Sequence, residues 1–204
     1  MRPEVTHNVA NQSARSAGGI SLIVLHTTEG HNRPGVGDLV DLANFFDNPA
    51  VEASSHVAND AEGHDARMVP DHRKAWTQSG YNSASLSIEQ IGFAATTKAE
   101  WFKHAPHQLA NTAKWIAYWH EEHDIPIRRA ITLAGGIQRS GVASHKQLGS
   151  AGGGHVDPGG AYPMRYVLWL ARYFAAKPGS QARAKARRVA NRIRKHYGLP
   201  ALPR

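Results

Sequence analysis

The chain has 204 residues, 41% of them apolar, with a formal net charge of +8, 13 histidines and no cysteine. That length suits one sizeable domain with an appendage, and the lack of cysteine excludes disulfides and thiolate metal sites, so any metal must be held by His, Asp or Glu. No run of about 18 apolar residues occurs, so no transmembrane helix is expected, and residues 1–7 lack the apolar core of a secretory signal.

Residues 1–18 are polar, show no periodicity and read as a lead-in loop. The apolar run 20–25 reads as a core strand. His26 sits at its C-terminal lip, followed by the polar turn Thr27-Thr28-Glu29-Gly30, which is where α/β proteins place ligands. Pro34-Gly35-Val36-Gly37 predicts a turn, and Asp38 predicts the N-cap of a helix over 39–46, stopped by Asn48-Pro49. Residues 54–59 and 66–69 read as strands joined by a hairpin turn at 60–63. The strand 86–93 alternates so that Ser87, Glu89 and Ile91 share a face. Residues 106–123 give the clearest helix, with Trp115 and Trp119 as an i,i+4 pair, ended by Ile125-Pro126. A strand is expected around 130–133, and the glycine-rich stretch 149–160 reads as an irregular functional loop. Pro163 starts a helix through Phe174. Residues 178–180 form a linker, and 181–196 a basic helix. Interleaved strands and helices predict an α/β fold with a central mixed sheet flanked by helices.

Charge marks a division. Nine of the 24 Lys and Arg, and none of the 16 Asp and Glu, lie in 177–204, which leaves 1–176 with 15 basic and 16 acidic residues. The expected organisation is a domain over 1–176 and a basic helical tail over 177–204.

Three segments could meet in one site: His26, His145 in Ser144-His145-Lys146, and Asp157 in His155-Val156-Asp157-Pro158-Gly159-Gly160. Two imidazoles and one carboxylate suit a zinc ion and leave its fourth position open for water, as a catalytic site requires. Each residue also has a plain reading: His26 as a strand-end histidine bonded to a carbonyl, Asp157 as a turn former, Glu89 as a sheet-surface residue.

The ordered set Ile23-Val24-Leu25-His26-Thr27-Thr28, Ser54-Ser55-His56-Val57, Met68-Val69-Pro70-Asp71, Ala75-Trp76, Ser87-Ile88-Glu89, His145 and Asp157-Pro158-Gly159 resembles the zinc-dependent N-acetylmuramoyl-L-alanine amidases. That family embraces phage amidases, bacterial anhydro-muropeptide amidases and peptidoglycan recognition proteins. The resemblance covers roughly 18–174. It implies Zn2+ held by His26, His145 and Asp157, with Glu89 as the catalytic carboxylate. In members that use a Tyr instead, that residue precedes the position of His56; here it is Ser55. Many members carry a Lys two residues before the third ligand; here His155 stands there and takes the oxyanion-stabilising role.

The resemblance further implies a monomeric peptidoglycan hydrolase without a protein partner that cuts between the lactoyl group of N-acetylmuramic acid and L-alanine. The small phage endolysins are most similar, which implies synthesis in the host cytoplasm without a signal peptide and action on the wall after holin-type release. The alternatives are a non-catalytic peptidoglycan-binding module of the same fold and a nucleic-acid-associated protein using the basic tail. The tail reads as a contact for anionic cell-wall polymer or membrane. Its apolar face of Ala184, Val189, Ile193 and Tyr197 is thin, and it lacks aromatics for base stacking.

Overall fold

The computed structural model describes residues 1–16, 18–133 and 136–203. Ten strands and six helices follow in chain order: β1 (Val5–Thr6), β2 (Gln12–Ala14), β3 (Leu22–Thr27), α1 (Gly37–Asp47), β4 (Val57–Asn59), β5 (Asp65–Arg67), β6 (Arg73–Ala75), β7 (Ser85–Gln90), α2 (Lys98–His104), α3 (Pro106–His123), β8 (Ile131–Leu133), β9 (Gly136–Arg139), β10 (Gly141–Ser144), α4 (His145–Leu148), α5 (Met164–Ala175) and α6 (Gln181–His196). No helix among the described residues is long and apolar enough to cross a membrane.

Six strands form one mixed sheet in the order β1-β5-β4-β7-β3-β10. Only β4 and β5 run antiparallel, as the predicted hairpin requires; β4, β7, β3 and β10 are parallel neighbours. β3 and β7 are buried along their whole length, as strands covered on both faces must be. Alternation divides their side chains. Ile23, Leu25, Leu86 and Ile88 join α2, α3, α5 and α6 in the main core. Leu22 and Val24 pack with Tyr81, Ala143 and Leu148, while α1 covers the sheet further along through Leu39, Ala43 and Phe46.

Several expectations shift. The N-terminal stretch is no mere lead-in. β1 extends the sheet edge, β2 pairs with β6, and Arg15 reaches inward to donate to the carbonyls of Asp71, Ser83 and Ser85 at 2.7–2.9 Å. Asp38 lies inside the first turn of α1 rather than capping it; Val36 is the N-cap, and Asp38 accepts from the Arg33 backbone at 2.6 Å. The strand expected at 54–59 begins only at Val57; before it, the Ser54 hydroxyl donates to the carbonyl of Asn11 in the N-terminal segment and the Ser55 hydroxyl to that of Val57. The strand expected at 130–133 is β8, paired with β9 in a separate ribbon. The sheet's own edge strand is β10, too short to stand out in the sequence. α2 carries a capping box, Thr97 with Glu100, a signal that sequence reading passed over.

The basic segment beyond residue 176 packs on the domain. Ser180 caps α6 by accepting from Arg183 N–H, and Ala186 and Ala190 are buried in the main core. Tyr197 stacks on Phe102 at 3.9 Å, Arg194 donates to the Tyr166 hydroxyl at 2.7 Å, and Tyr173 donates to the carbonyl of Pro203 at 3.1 Å. The inward face is therefore Ala186, Ala190, Ile193 and Tyr197; of the face expected from sequence, Ile193 and Tyr197 do turn inward, while Ala186 and Ala190 replace Ala184 and Val189. This packing predicts that Ala190→Asp, which buries an unpaired charge, lowers stability by roughly 2–4 kcal/mol in urea unfolding. Arg188→Asp on the exposed side should stay within about 0.5 kcal/mol; equal effects would show that α6 is not docked in solution.

Candidate functional site

The site forms where the carboxyl ends of β7, β3 and β10 lie side by side. Register places His26 directly opposite Glu89 and Ser144 opposite Leu25. His145, the next residue, therefore stands beside His26, with ring centroids 4.3 Å apart. Asp157 arrives on the glycine-rich loop. Its carbonyl accepts from Lys146 N–H at 2.8 Å, and its Oδ2 accepts from Thr27 N–H at 3.2 Å. Gly159 lets this loop close, since a Cβ there would collide with the carbonyl of Ala94.

His26, His145 and Asp157 are all buried, and one donor atom from each lies within 4.8 Å of the others. Both imidazoles turn Nδ1 to the carboxylate, His145 at 3.2 Å and His26 at 3.4 Å. The opposite nitrogens fix the protons. His145 Nε2 lies 2.8 Å from the Gly152 carbonyl, which can only accept, so Nε2 carries the hydrogen. A longer chain does the same for His26. Ser85 donates to the Tyr81 carbonyl at 2.6 Å, so its oxygen must accept from the Gln78 amide NH2. That turns Gln78 Oε1 toward His26 Nε2 at 3.2 Å, which must then donate. Two Nδ1 lone pairs and a carboxylate thus face one another with no proton between them. That donor set fits a divalent cation.

Glu89 lies 3.9 Å from His26 Nδ1 through Oε1. Its Oε2 is buried without a hydrogen-bond partner among the described residues. Burial, and then the charges of Asp157 and Glu29, push the Glu89 carboxyl up to about 8. Burial depresses the His26 imidazole to about 4 against the pull of Asp157. For Asp157 burial acts upward, but a proton entering the trio would sit on His145 or His26 rather than on the carboxylate, and this holds the carboxyl well below the carboxylate range. These groups line a cleft of about 350 Å³ whose wall includes Leu42, Phe45, Phe46 and Trp76. His155 is exposed at its edge and stacks on His145, centroids 4.5 Å apart.

The structure thus brings His26, His145, Asp157, Glu89 and His155 to one cleft. His56 is elsewhere: it is fully buried, against Arg15 at 2.8 Å and Ser87 at 2.9 Å, and burial with the Arg15 charge holds it well below its ordinary pKa. Trp76 lines the cleft, while Tyr81 belongs to the core. Sequence reading missed Gln78, which sits in an unremarkable Thr77-Gln78-Ser79 stretch; only the fold aligns it with His26.

The sequence profile of a family described as N-acetylmuramoyl-L-alanine amidase matches residues 16–160. A comparison with the curated proteins found no match. Among solved structures, the fold is similar to that of AmpD, seen as a selenomethionine derivative, with a TM-score of 0.60 and 17% identity over 82% of this chain and 95% of that one. It is similar to the hydrolase AmiA of Staphylococcus aureus, in complex with its ligand, with 0.59 and 17% over 84% of each chain. It is also similar to the endolysin amidase LysCS of Clostridium intestinale, with 0.51 and 14% over 81% of this chain and 94% of that one.

The Gln78 chain carries a prediction. Gln78→Leu should weaken divalent-metal binding by roughly 10–100-fold, the usual effect of losing a hydrogen bond behind a ligand, with circular dichroism unchanged. Competition against a chromophoric chelator measures it; undiminished affinity would remove Gln78 from the site.

Proposed function

Because the chain belongs to the N-acetylmuramoyl-L-alanine amidase family, we propose that it hydrolyses the amide between the lactoyl group of N-acetylmuramic acid and the L-alanine of the peptidoglycan stem, with Zn2+ held by His26, His145 and Asp157. The observation that carries this reading is the buried trio of two proton-free Nδ1 atoms and a carboxylate beside an unpartnered Glu89 oxygen. When bound, zinc supplies Lewis acidity toward a carbonyl and acidifies a water to a pKa of about 7.

The chain's own groups do the rest. Glu89, at the cleft floor, would act in its ionised form, which a cation held by the adjacent trio favours against its burial; it takes the proton of the attacking water and hands it to the departing amine nitrogen. Its burial keeps bulk water from competing for that proton. His155 donates a hydrogen bond to the oxygen on which charge develops; stacking on His145 limits where its ring can go. Leu42, Phe45, Phe46 and Trp76 give an apolar wall that packs on the substrate and displaces water. An intact set of donors together with Glu89 favours an enzyme over a binding module of the same fold.

The biological role we assign is that of a phage endolysin. Intact host cells expressing the chain should lyse only after their cytoplasmic membrane is breached, for example with chloroform, and lysis without a breach would point to an exported enzyme.

Four tests address the chemistry. Purified protein should carry about one Zn2+ per chain, lost in His26→Ala and His145→Ala, since one site needs both imidazoles. Digestion of muropeptides, followed by mass spectrometry, should show water added across the lactoyl–alanine amide, abolished by chelation and restored by zinc; full activity without metal rejects the zinc assignment. Glu89→Gln should keep zinc yet lose turnover by roughly 10²–10⁴-fold. His155→Ala should keep zinc and lose turnover by about 10²-fold; loss of metal instead would make His155 a ligand and displace Asp157.

A further inference from the structure

Two joined hollows border the His145–Asp157 loop without sharing a residue with the cleft. The larger, of about 580 Å³, is framed by Lys98 at the start of α2, Arg165 in α5 and Arg192 in α6. The smaller, of about 250 Å³, ends at Lys146; the two share walls at Arg129, Gly160, Tyr162 and Met164. No Asp or Glu lines either one. Lys98, Arg129, Lys146, Arg165 and Arg192 are all exposed, and among the described residues none forms a salt bridge. Arg129 donates only to the neutral Gln147 amide, at 3.2 Å. The floor beneath them is rigid and aromatic, with Phe102 stacked on Tyr197 at 3.9 Å and Tyr162 held through its hydroxyl by Gln90.

Five like charges around a concavity repel one another unless something negative enters, and a concave wall concentrates their field. Three of the five are arginines, whose planar forks match phosphate oxygens two at a time. Shape decides the occupant. A flat bilayer or a DNA duplex is too broad to enter, and would meet instead the convex side of α6, where Arg188 and Lys195 are exposed outside both hollows. Ala186, Ala190, Ile193 and Tyr197 face the core, and the Ala182, Ala184 and Val189 side chains that remain make too small an apolar face to insert into lipid. The cations run along the joined hollows from Arg192 through Arg129 to Lys146, which suits a narrow chain with charges at intervals.

We propose that the joined hollows bind a flexible phosphate polymer, one negative phosphate per repeat, laid from Arg192 past Arg129 toward Lys146. α6 is then one wall of a binding site that α2, α5 and the loop after Asp157 complete. The site is separate from the cleft, and binding does not depend on the amidase reading.

Fluorescently labelled inorganic polyphosphate, titrated into the full-length protein and read by anisotropy, tests this. Binding should be saturable at one chain per site. The pair Arg129→Ala/Arg192→Ala should weaken it by about tenfold or more, the worth of a lost charge-assisted hydrogen bond. Lys98→Ala/Arg165→Ala, at the other rim, should do the same. The convex-face pair Arg188→Ala/Lys195→Ala should change it by no more than about twofold. All variants alter exposed side chains, and unchanged melting and muropeptide cleavage verify the fold. Equal loss from the convex-face pair would reduce the effect to diffuse charge and overturn the proposal. So would tighter binding of phosphatidylglycerol vesicles or a DNA duplex that the hollow variants leave untouched.

Discussion

The parallel register of β3 against β7 is the constraint on which the rest of the molecule depends. With His26 opposite Glu89, Leu22 and Val24 point to one side and Ile23 and Leu25 to the other, which matches the two cores. A slip of one residue in β7 would carry Glu89 to the helix side and bring Ile88 into the cleft, reversing every contact at once. Parallel neighbours also need long crossovers. The excursion between β3 and β7 supplies α1, β4, β5 and β6. The one between β7 and β10 supplies α2 and α3, so the register and both covering layers specify each other.

Legibility followed the range of the cause. α3 and α6 were legible to the residue, because Pro106 starts one, Ser180 caps the other, and periodicity runs unbroken between. β3 was legible because Leu22 to Leu25 leave a continuous apolar run, although the strand begins two residues later than expected and takes in His26 and Thr27. β10 was not: four residues starting at a glycine carry almost no local signal, and only pairing with β3 makes them a strand. The inward face of α6 was misjudged because its contacts are alanines, whose small side chains look indifferent in sequence yet allow helices to approach closely. Arg15 and Gln78 show the limit most plainly. Their partners lie in other segments, up to 70 residues away for Arg15 and 52 for Gln78, so composition and spacing hold no trace of their roles.

The cleft also shows how burial and proton placement act together. Backbone carbonyls at Tyr81 and Gly152 are the fixed points, since they cannot donate. From them the orientation of Ser85, Gln78 and both imidazoles follows, which preorganises the donors before any ligand arrives. The cost is that three electron-rich atoms and the Glu89 carboxyl share a poorly solvated space. A cation bound there would relieve that crowding and so couple site occupancy to fold stability.

Thr27 and Asp157 bond across 130 residues, and this separation has a consequence in time. At ribosomal rates of about 5–20 residues per second, roughly 10 s passes between the appearance of the strand bearing His26 and that of the loop bearing Asp157. Every nascent chain and every product of premature termination before Asp157 lacks the third donor. The protein therefore passes through much of its synthesis with this cluster incomplete, and the three side chains can meet only once Asp157 has emerged.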